Sequence, residues 1–337
     1  MDQLNNRAYR DQWKSVNASL ESIRIKAGLG AALRNLMRHQ VASGFIQDEL
    51  REIVRYQLPC PFEPARAFSA QYNPARARRF DAASPSGPSV PAVNNGCFLC
   101  PENVQWQHQG AEIGFELPHG QGCYIAWMNP YPLLPGHTIV ASRQHRPQHW
   151  AAPGARSLAD LTTDLVALAQ DLPGWIGFYN GVGAGASIPH HQHFHFLPRA
   201  PGYEEMPLER AARQSSGATR IEERYPLSFM HWGGRSTEVL ATALGWLEHW
   251  QQGNGSLADA TANIIACARA DSSGLDLYFI PRHQARSRAE GLQGVIGGFE
   301  TLGEIVCSSV EEKRRLDSGQ VDFQAVAAML RQVSTAF

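Results

Sequence analysis

Along the first 57 residues apolar side chains recur every three to four positions, as Leu29, Leu33, Leu36 and Met37 and then Ile46, Leu50, Ile53 and Val54. That spacing predicts helix from the start of the chain to about residue 57. From Leu58 to Asn95 the periodicity gives way to the prolines of PCPFEP, QYNPAR and SPSGPSVP. Proline removes a backbone donor and favours extended or turn backbone, so an ordered wrap is expected, followed by a loop over 82–95. Beyond Cys97 short apolar runs alternate with turns: CYIAWM (123–128), TIVAS (138–142), WIGFY (175–179) and HFHFLP (193–198). These predict the strands of an antiparallel sheet. Between the second and third, Leu158, Leu161, Leu165 and Leu168 follow Ser157, the pattern of a capped amphipathic helix lying across that sheet.

After about residue 207 the layout partly repeats. Ser236 or Thr237 can cap a helix bearing Val239, Leu240, Ala243, Leu244 and Leu247, and LDLYFIPR (275–282) reads as a following strand. The endings FHFLPR and LYFIPR are alike, which points to a degenerate duplication. A last helix is expected over about 321–333. The reading is an α+β chain in three parts: a helical extension and extended wrap (1–95), a first sheet-and-helix half (96–207) and a second half (208–337).

Composition narrows the function classes. With 43% hydrophobic residues in 337, the chain can bury a large core. Its 30 basic and 31 acidic side chains leave a net charge of -1, so no overall field draws it to nucleic acid or an anionic membrane. The opening MDQLNNRAYRDQW lacks the apolar core of a signal peptide, and no apolar run approaches the roughly 20 residues that span a bilayer. A cytoplasmic protein is expected. Six cysteines are too few for a disulfide framework.

The segment with most chemistry is GAGASIPHHQHFHFLPR (183–199), in which His191, His193 and His195 alternate with Gln192, Phe194 and Phe196. On a strand, a period of two sets the three imidazoles on one face. A metal site or a surface cluster would satisfy a single histidine, whereas three in a row behind a small-residue loop favour catalysis. Imidazole is nucleophilic when neutral and donates a proton when charged. The loop from Gly181 through Gly185 to Ser187 has side chains small enough for backbone N–H groups to approach a phosphate, with a hydroxyl donor at its end.

HQHFHFLPR resembles the H-x-H-x-H signature of the histidine-triad (HIT) superfamily, and NPYPLLPGHTIV (129–140) resembles its strand-turn-strand segment. The likeness implies a HIT-like antiparallel sheet, with His193 attacking phosphorus to form a nucleotidyl-histidine intermediate. It further implies that Ser187 and His195 contact phosphate or leaving group, His191 completes the triad, Asn129 reaches the ribose and Asn180 supplies an amide beside the phosphate loop. Farther along, Tyr225-Pro226, ANIIACAR (262–269), LYFIPR and GEIVCSSVEE (303–312) are similar to GDP-sugar phosphorylases, relatives of galactose-1-phosphate uridylyltransferase. QYNPARARRF (71–80) and GCFLCPEN (96–103) resemble a bacterial branch of the same superfamily. The chain departs from the transferases at the third triad position, where His195 replaces their usual glutamine, a feature of hydrolases.

Cys97 and Cys100 form a C-x-x-C pair, which outside an oxidising compartment favours metal ligation over a disulfide. Two thiolates need two further ligands. Zinc-containing superfamily members imply His145 and His191, with His149 and His190 as neighbouring alternatives, in a closed structural site. Arg199 and Arg282 follow the two LPR and IPR strand ends and are candidates for polyphosphate, as are Arg286 and Arg288 with solvated charge an equal alternative. His137 reads as a structural hydrogen-bonder and Trp232, Trp246 and Trp250 as core or interface, with stacking on a base the alternative, while Gln71, Asn73 and Arg76 are candidates to reach the substrate that no signal in the sequence supports.

The expected activity is a nucleotidyltransferase or phosphorylase that cleaves a nucleoside diphosphate sugar or a dinucleoside polyphosphate, with phosphate or a sugar phosphate as acceptor. A hydrolase using water and a nucleotide-binding regulatory protein with a relict site are the alternatives. The base, the sugar and the oligomeric state stay open, a homodimer among the options.

Overall fold

The computed structural model describes residues 2–46, 50–63, 66–77, 93–104, 112–119, 122–213, 225–253, 258–271 and 274–336. Most of the loop expected over 82–95, and residues 78–80 of the QYNPARARRF segment, lie outside these. Two helices, α1 (Asp2–Ala27) and α2 (Leu29–Ala42), open the chain and break at Gly28, whose φ of 84° suits only glycine. The helix predicted to continue to residue 57 does not. Gly44 turns the chain out with a φ of 78°, and Val54–Pro59 forms strand β1, paired antiparallel with β2 (Ala67–Tyr72). Ile53 and Val54 are β-branched and sit as readily on a strand, so three-residue spacing over so short a stretch misleads.

The large sheet takes the strands expected at β4 (Gly122–Met128), β5 (Thr138–Ser142), β6 (Trp175–Asn180), β7 (His193–Pro198) and β10 (Leu275–His283). It adds β3 (Phe115–His119), β8 (Met230–Gly234) and β9 (Ala260–Ala268), in the order β3-β4-β5-β7-β6-β9-β10-β8 with every neighbouring pair antiparallel. A second sheet joins β1, β2 and β11 (Glu304–Cys307). The mixed α+β class, an antiparallel sheet with packed helices, is that read from the sequence.

Within the large sheet one unit occurs twice. Strand β5, helix α4 (Leu158–Gln170), β6 and β7 pair so that the third strand lies between the first two. Strand β8, helix α6 (Ser236–Gly253), β9 and β10 repeat that order, and β6 meets β9 at the junction. Helix α4 begins as predicted, with the Ser157 hydroxyl accepting from Asp160 N–H at 3.1 Å.

Alternation along the strands sorts side chains between two cores. Phe194, Phe196, Tyr179, Ile264 and Phe279 pack under α2, α4 and α6. Ile176, Phe178, Leu197, Ile265 and Ile280 face the other way, toward Phe68, Phe299 and the C-terminal helix α9 (Phe323–Val333). His193 and His195, in phase with Leu197, belong to this second face. Among the described residues no helix is long and apolar enough to cross a membrane.

Candidate active site

A cavity of about 270 Å³ opens on this second face, lined by His193 and His195 of β7, Phe178 and Asn180 of β6, and Gly185 and Ser187 of the small-residue loop. Asn129 and His137, from the turn between β4 and β5, close one side, and Arg76 and Glu300 reach in from segments distant in sequence. His193 is 1% exposed, and its Nδ1 lies 2.7 Å from the His191 carbonyl oxygen. A carbonyl only accepts, so Nδ1 carries the proton and Nε2 holds the lone pair. Burial lowers the His193 pKa to about 4, which keeps the ring neutral and nucleophilic at pH 7. Its backbone is held as well: Gln148 Oε1 accepts from His193 N–H at 2.7 Å, while Gln148 Nε2 donates to the carbonyls of Asn180 and His193.

The proton on His195 is placed by a relay of hydrogen bonds. Leu133 N–H donates to His137 Nδ1 at 3.1 Å, and His137 Nε2 lies 3.0 Å from His195 Nδ1. Burial holds the His137 pKa well below its ordinary value, so its single proton sits on Nε2 and is given to His195 Nδ1. His195 therefore keeps its own proton on Nε2. The ring stacks on Phe178, with centroids 5.0 Å apart and planes 21° from parallel. The structure thus brings a nucleophilic imidazole and a donor imidazole to one cavity wall.

The small-residue loop is shaped from the second half of the sheet. Asn263 on β9 donates to Asn180 Oδ1 at 2.9 Å and to the Ala184 carbonyl at 2.6 Å. Arg282 in turn donates to Asn263 Oδ1 at 2.7 Å. A Cβ on Gly185 would stand 2.4 Å from Gly297 Cα, and its φ of 104° excludes other residues independently. Arg282, read from sequence as a phosphate ligand, is 1% exposed, does not line the cavity and supports the loop through Asn263. Arg199 is likewise turned inward, to Glu209 and the carbonyls of Tyr203 and Glu204. Arg286 and Arg288 bond backbone carbonyls at Ser334 and Gln293, also away from the cavity. Strand-end position suggested contact with phosphate; carboxylate, amide and carbonyl partners inside the fold claim these guanidinium groups instead.

His191 parts from the other two histidines. The chain is still turning at Pro189–His191, so the strand alternation starts only at His193 and the expected single face of three does not form. Its ring instead joins Cys97, Cys100 and His145, four residues whose ligating atoms lie within 4.8 Å of one another. Cys97 Sγ is 3.3 Å from His191 Nδ1, and Cys100 Sγ is 3.3 Å from His145 Nδ1. His191 Nε2 lies 2.7 Å from the Ser142 carbonyl, which fixes its proton there and turns the Nδ1 lone pair toward the thiols. Burial pushes the Cys97 thiol up to about 12, so a cation has to supply the ionisation that thiolate ligation needs. Of the two alternatives, His149 spends its nitrogens on the Ala260 carbonyl and the Ala151 N–H, and exposed His190 stands outside the four.

Sequence reasoning missed Gln148, Asn263, Glu112 and Glu300, and singled out Arg76 without a reason. Gln148, Glu112 and Glu300 belong to no motif, and Asn263 and Arg76 stand in ANIIACAR and QYNPARARRF, whose likeness gave them no role; each arrives through long-range packing.

A family model described as a domain of unknown function, DUF4922, matches residues 48–198. No curated protein matches the chain. Among solved structures, yeast Ap4A phosphorylase Apa2 is similar over most of its length. Its complex with AMP is 16% identical, with a TM-score of 0.58 over 90% of this chain and 96% of that one. A second structure of Apa2 and its complex with Ap4A are each 14% identical, with TM-scores of 0.60 and 0.58 over 90% of this chain and 98% of theirs. At these identities the likeness is one of fold: this chain has the fold of the yeast phosphorylase.

Proposed function

We propose that the protein is a nucleotidyl-transferring phosphorylase acting on a dinucleoside polyphosphate or a nucleoside diphosphate sugar. The observation that carries this is the protonation pattern at the cavity wall: His193 with its lone pair on Nε2, beside His195 with its proton on Nε2. Nε2 of His193 attacks the α-phosphorus; a P–N bond forms as the P–O bond to the departing phosphate breaks, and the Nε2–H of His195 donates a hydrogen bond to the oxygen that takes the electron pair. Inorganic hydrogenphosphate then attacks the adduct, forming a P–O bond as the P–N bond breaks and its electron pair returns to His193 Nε2; the proton of hydrogenphosphate stays on the nucleoside diphosphate formed. Ser187, Asn180 and the loop around Gly185 hold the phosphates, Asn129 the ribose, and Arg76 adds positive charge. The shared fold with a phosphorylase crystallised with AMP and with Ap4A supports the reading.

Zinc fits the Cys97, Cys100, His145 and His191 set: two sulfur and two nitrogen donors, no fifth protein ligand among the described residues and a carbonyl orienting His191. Bound there, zinc would tie the segment before β3 to the start of β7. The test of the activity is a screen of NDP-sugars and dinucleoside polyphosphates with and without millimolar phosphate. Nucleoside diphosphate formed only with phosphate is the expected result. Nucleoside monophosphate formed at the same rate in both would make the protein a hydrolase.

A further inference from the structure

The large sheet is missing a rung at its centre. Strands β6 and β7 pair from Trp175↔Pro198 to Phe178↔His195 and stop there. Their outer neighbours hold on longer: Asn180 is still paired with Asn263 of β9, and His193 with Ala141 of β5. The gap therefore lies between β6 and β7 alone, where the same register would set Asn180 opposite His193. Backbone groups left without partners inside a sheet are costly.

The side chain of Gln148 fills that gap. Gln148 is fully buried; its Oε1 accepts from His193 N–H at 2.7 Å, and its Nε2 donates to the Asn180 carbonyl at 2.7 Å and the His193 carbonyl at 3.1 Å. A carboxamide offers the acceptor and the donors of a peptide group, so one side chain stands in for the missing backbone partner of both strands. Its own backbone is pinned at each end, with Gln148 N–H donating to the Pro189 carbonyl at 3.0 Å and the Tyr179 hydroxyl donating to the Gln148 carbonyl.

The second half of the sheet shows that the topology does not require such a wedge. At the position matching His193, Asp276 is paired with Cys267, and β10 stays on β9 as far as Leu275↔Ala268. There the two strands are joined by residues 269–274, whereas β6 and β7 are joined by residues 181–192, which bring Gly185 and Ser187 to the cavity beside His193. The strands part where a phosphate loop has to turn in next to a nucleophile, and Gln148 sits at the parting.

Resting on the nucleotidyl-transfer reading above, we propose that Gln148 is the positioning residue of the nucleophile: its carboxamide replaces a rung of the ladder, holds the backbone of His193 at the strand end and keeps β6 and β7 apart for the loop. It touches no reacting atom and acts through His193 and Asn180.

The test compares the wild type with Gln148→Leu and Gln148→Glu in the full chain, on the best substrate of the screen above with millimolar phosphate. Gln148→Leu keeps the volume and loses every hydrogen bond, so kcat should fall about 100-fold, the cost of a small misplacement of a reacting group, while KM stays within about threefold. A buried carboxyl facing two carbonyl oxygens retains its proton, and a carboxylic acid, like a carboxamide, pairs an acceptor with a donor. Gln148→Glu should therefore lie within about tenfold of the wild type at about pH 6 and decline toward Gln148→Leu by about pH 9. The titratable groups at this place, His193 and Tyr179, are present in every protein compared and cancel in the ratio to the wild type at each pH. Turnover unchanged in Gln148→Leu with a lower melting temperature, a loss confined to KM, or Gln148→Glu as impaired as Gln148→Leu at about pH 6 would overturn the proposal. Should Gln148→Leu fail to fold, the pH dependence of Gln148→Glu decides alone. If the wild type turns over none of the substrates, the nucleotide reading fails by itself, and the ring nitrogen shifts of ¹⁵N-labelled His193 decide the positioning. One tautomer in the wild type and a mixture in Gln148→Leu would support it, and identical shifts would overturn it.

Discussion

In the first half of the large sheet β7 runs between β5 and β6 and carries His193 and His195; in the second, β10 runs between β8 and β9. Counted back from Pro198 and Pro281, the positions of the two histidines are held in β10 by Asp276 and Tyr278. Asp276 pairs with His231 at 2.9 Å and with Arg269 at 3.4 Å, and Tyr278 stacks on His231 with centroids 4.7 Å apart. Neither lines the cavity. The two halves thus share a topology and differ in what their third strand presents. One shows imidazoles to a cavity, the other a closed cluster of ion pair and stacked rings. The second half still acts on the first, because Asn263 and Arg282 brace the loop between β6 and β7.

That division gives the largest expected contrast. His193→Ala removes the attacking atom and leaves the cavity walls, so turnover should fall about 10⁴-fold with nucleotide binding retained within a few-fold. Asp276→Ala, at the matching position of the other half, should leave turnover within about twofold. Steady-state rates and mass spectrometry of the quenched enzyme, looking for a nucleotidyl group on His193, decide both. Equal losses in the two variants would erase the distinction between the halves.

Next in size is the metal cluster, which the second half does not repeat: Cys97, Cys100, His145 and His191 are the one such group of three or more among the described residues. The purified protein should carry about one zinc per chain by elemental analysis. Cys97→Ser with Cys100→Ser should abolish it and lower the melting temperature by about 10 °C, since metal binding energy is folding energy here. A metal-free protein with full activity and unchanged melting would remove zinc from the account.

How far the sequence carried this picture depends on the range of the interactions. Strands β4 to β7 and the Ser157 cap were legible because they rest on local alternation and one side chain bonding three residues away. His193 and His195 were legible for the same reason, and Cys97 and Cys100 through their spacing. Glu112 was not: what marks it is a buried carboxyl with no side-chain partner among the described residues, which only the packed chain displays. Arg199 and Arg282 look alike in sequence to phosphate ligands, and only Glu209 and Asn263, ten and nineteen residues away, show that they face inward. His191 obeyed the period of two in the sequence but precedes the strand that would enforce it.

Asn263 offers a sharper probe of the tie between halves. Its removal leaves Arg282 and the Ala184 carbonyl short of a partner, at a cost of about 1–3 kcal/mol in stability. Because Asn180 and the loop also loosen, kcat should fall roughly 30-fold, with a smaller change in KM, as expected when groups that hold phosphate in the transition state lose their geometry. A drop in melting temperature with kcat unchanged would confine Asn263 to stability.

The smallest effect is expected at His137, which touches the chemistry only through His195. Without it, the bond that sets the His195 proton on Nε2 is lost, and the other tautomer presents a lone pair where the departing oxygen needs a donor. His137→Ala should therefore slow turnover about tenfold, as the loss of one hydrogen bond to the departing oxygen implies. The loss should depend on the leaving group. Substrates whose departing phosphate is a strong acid need no hydrogen-bond donor and should be cleaved almost as fast as by the wild type, while poorer leaving groups should show the full defect. His195→Ala should reproduce this dependence and add little in the double variant, because both changes remove one function. A His137→Ala defect that is uniform across leaving groups, or fully additive with His195→Ala, would mean that His137 serves packing alone and that His195 chooses its tautomer by other means.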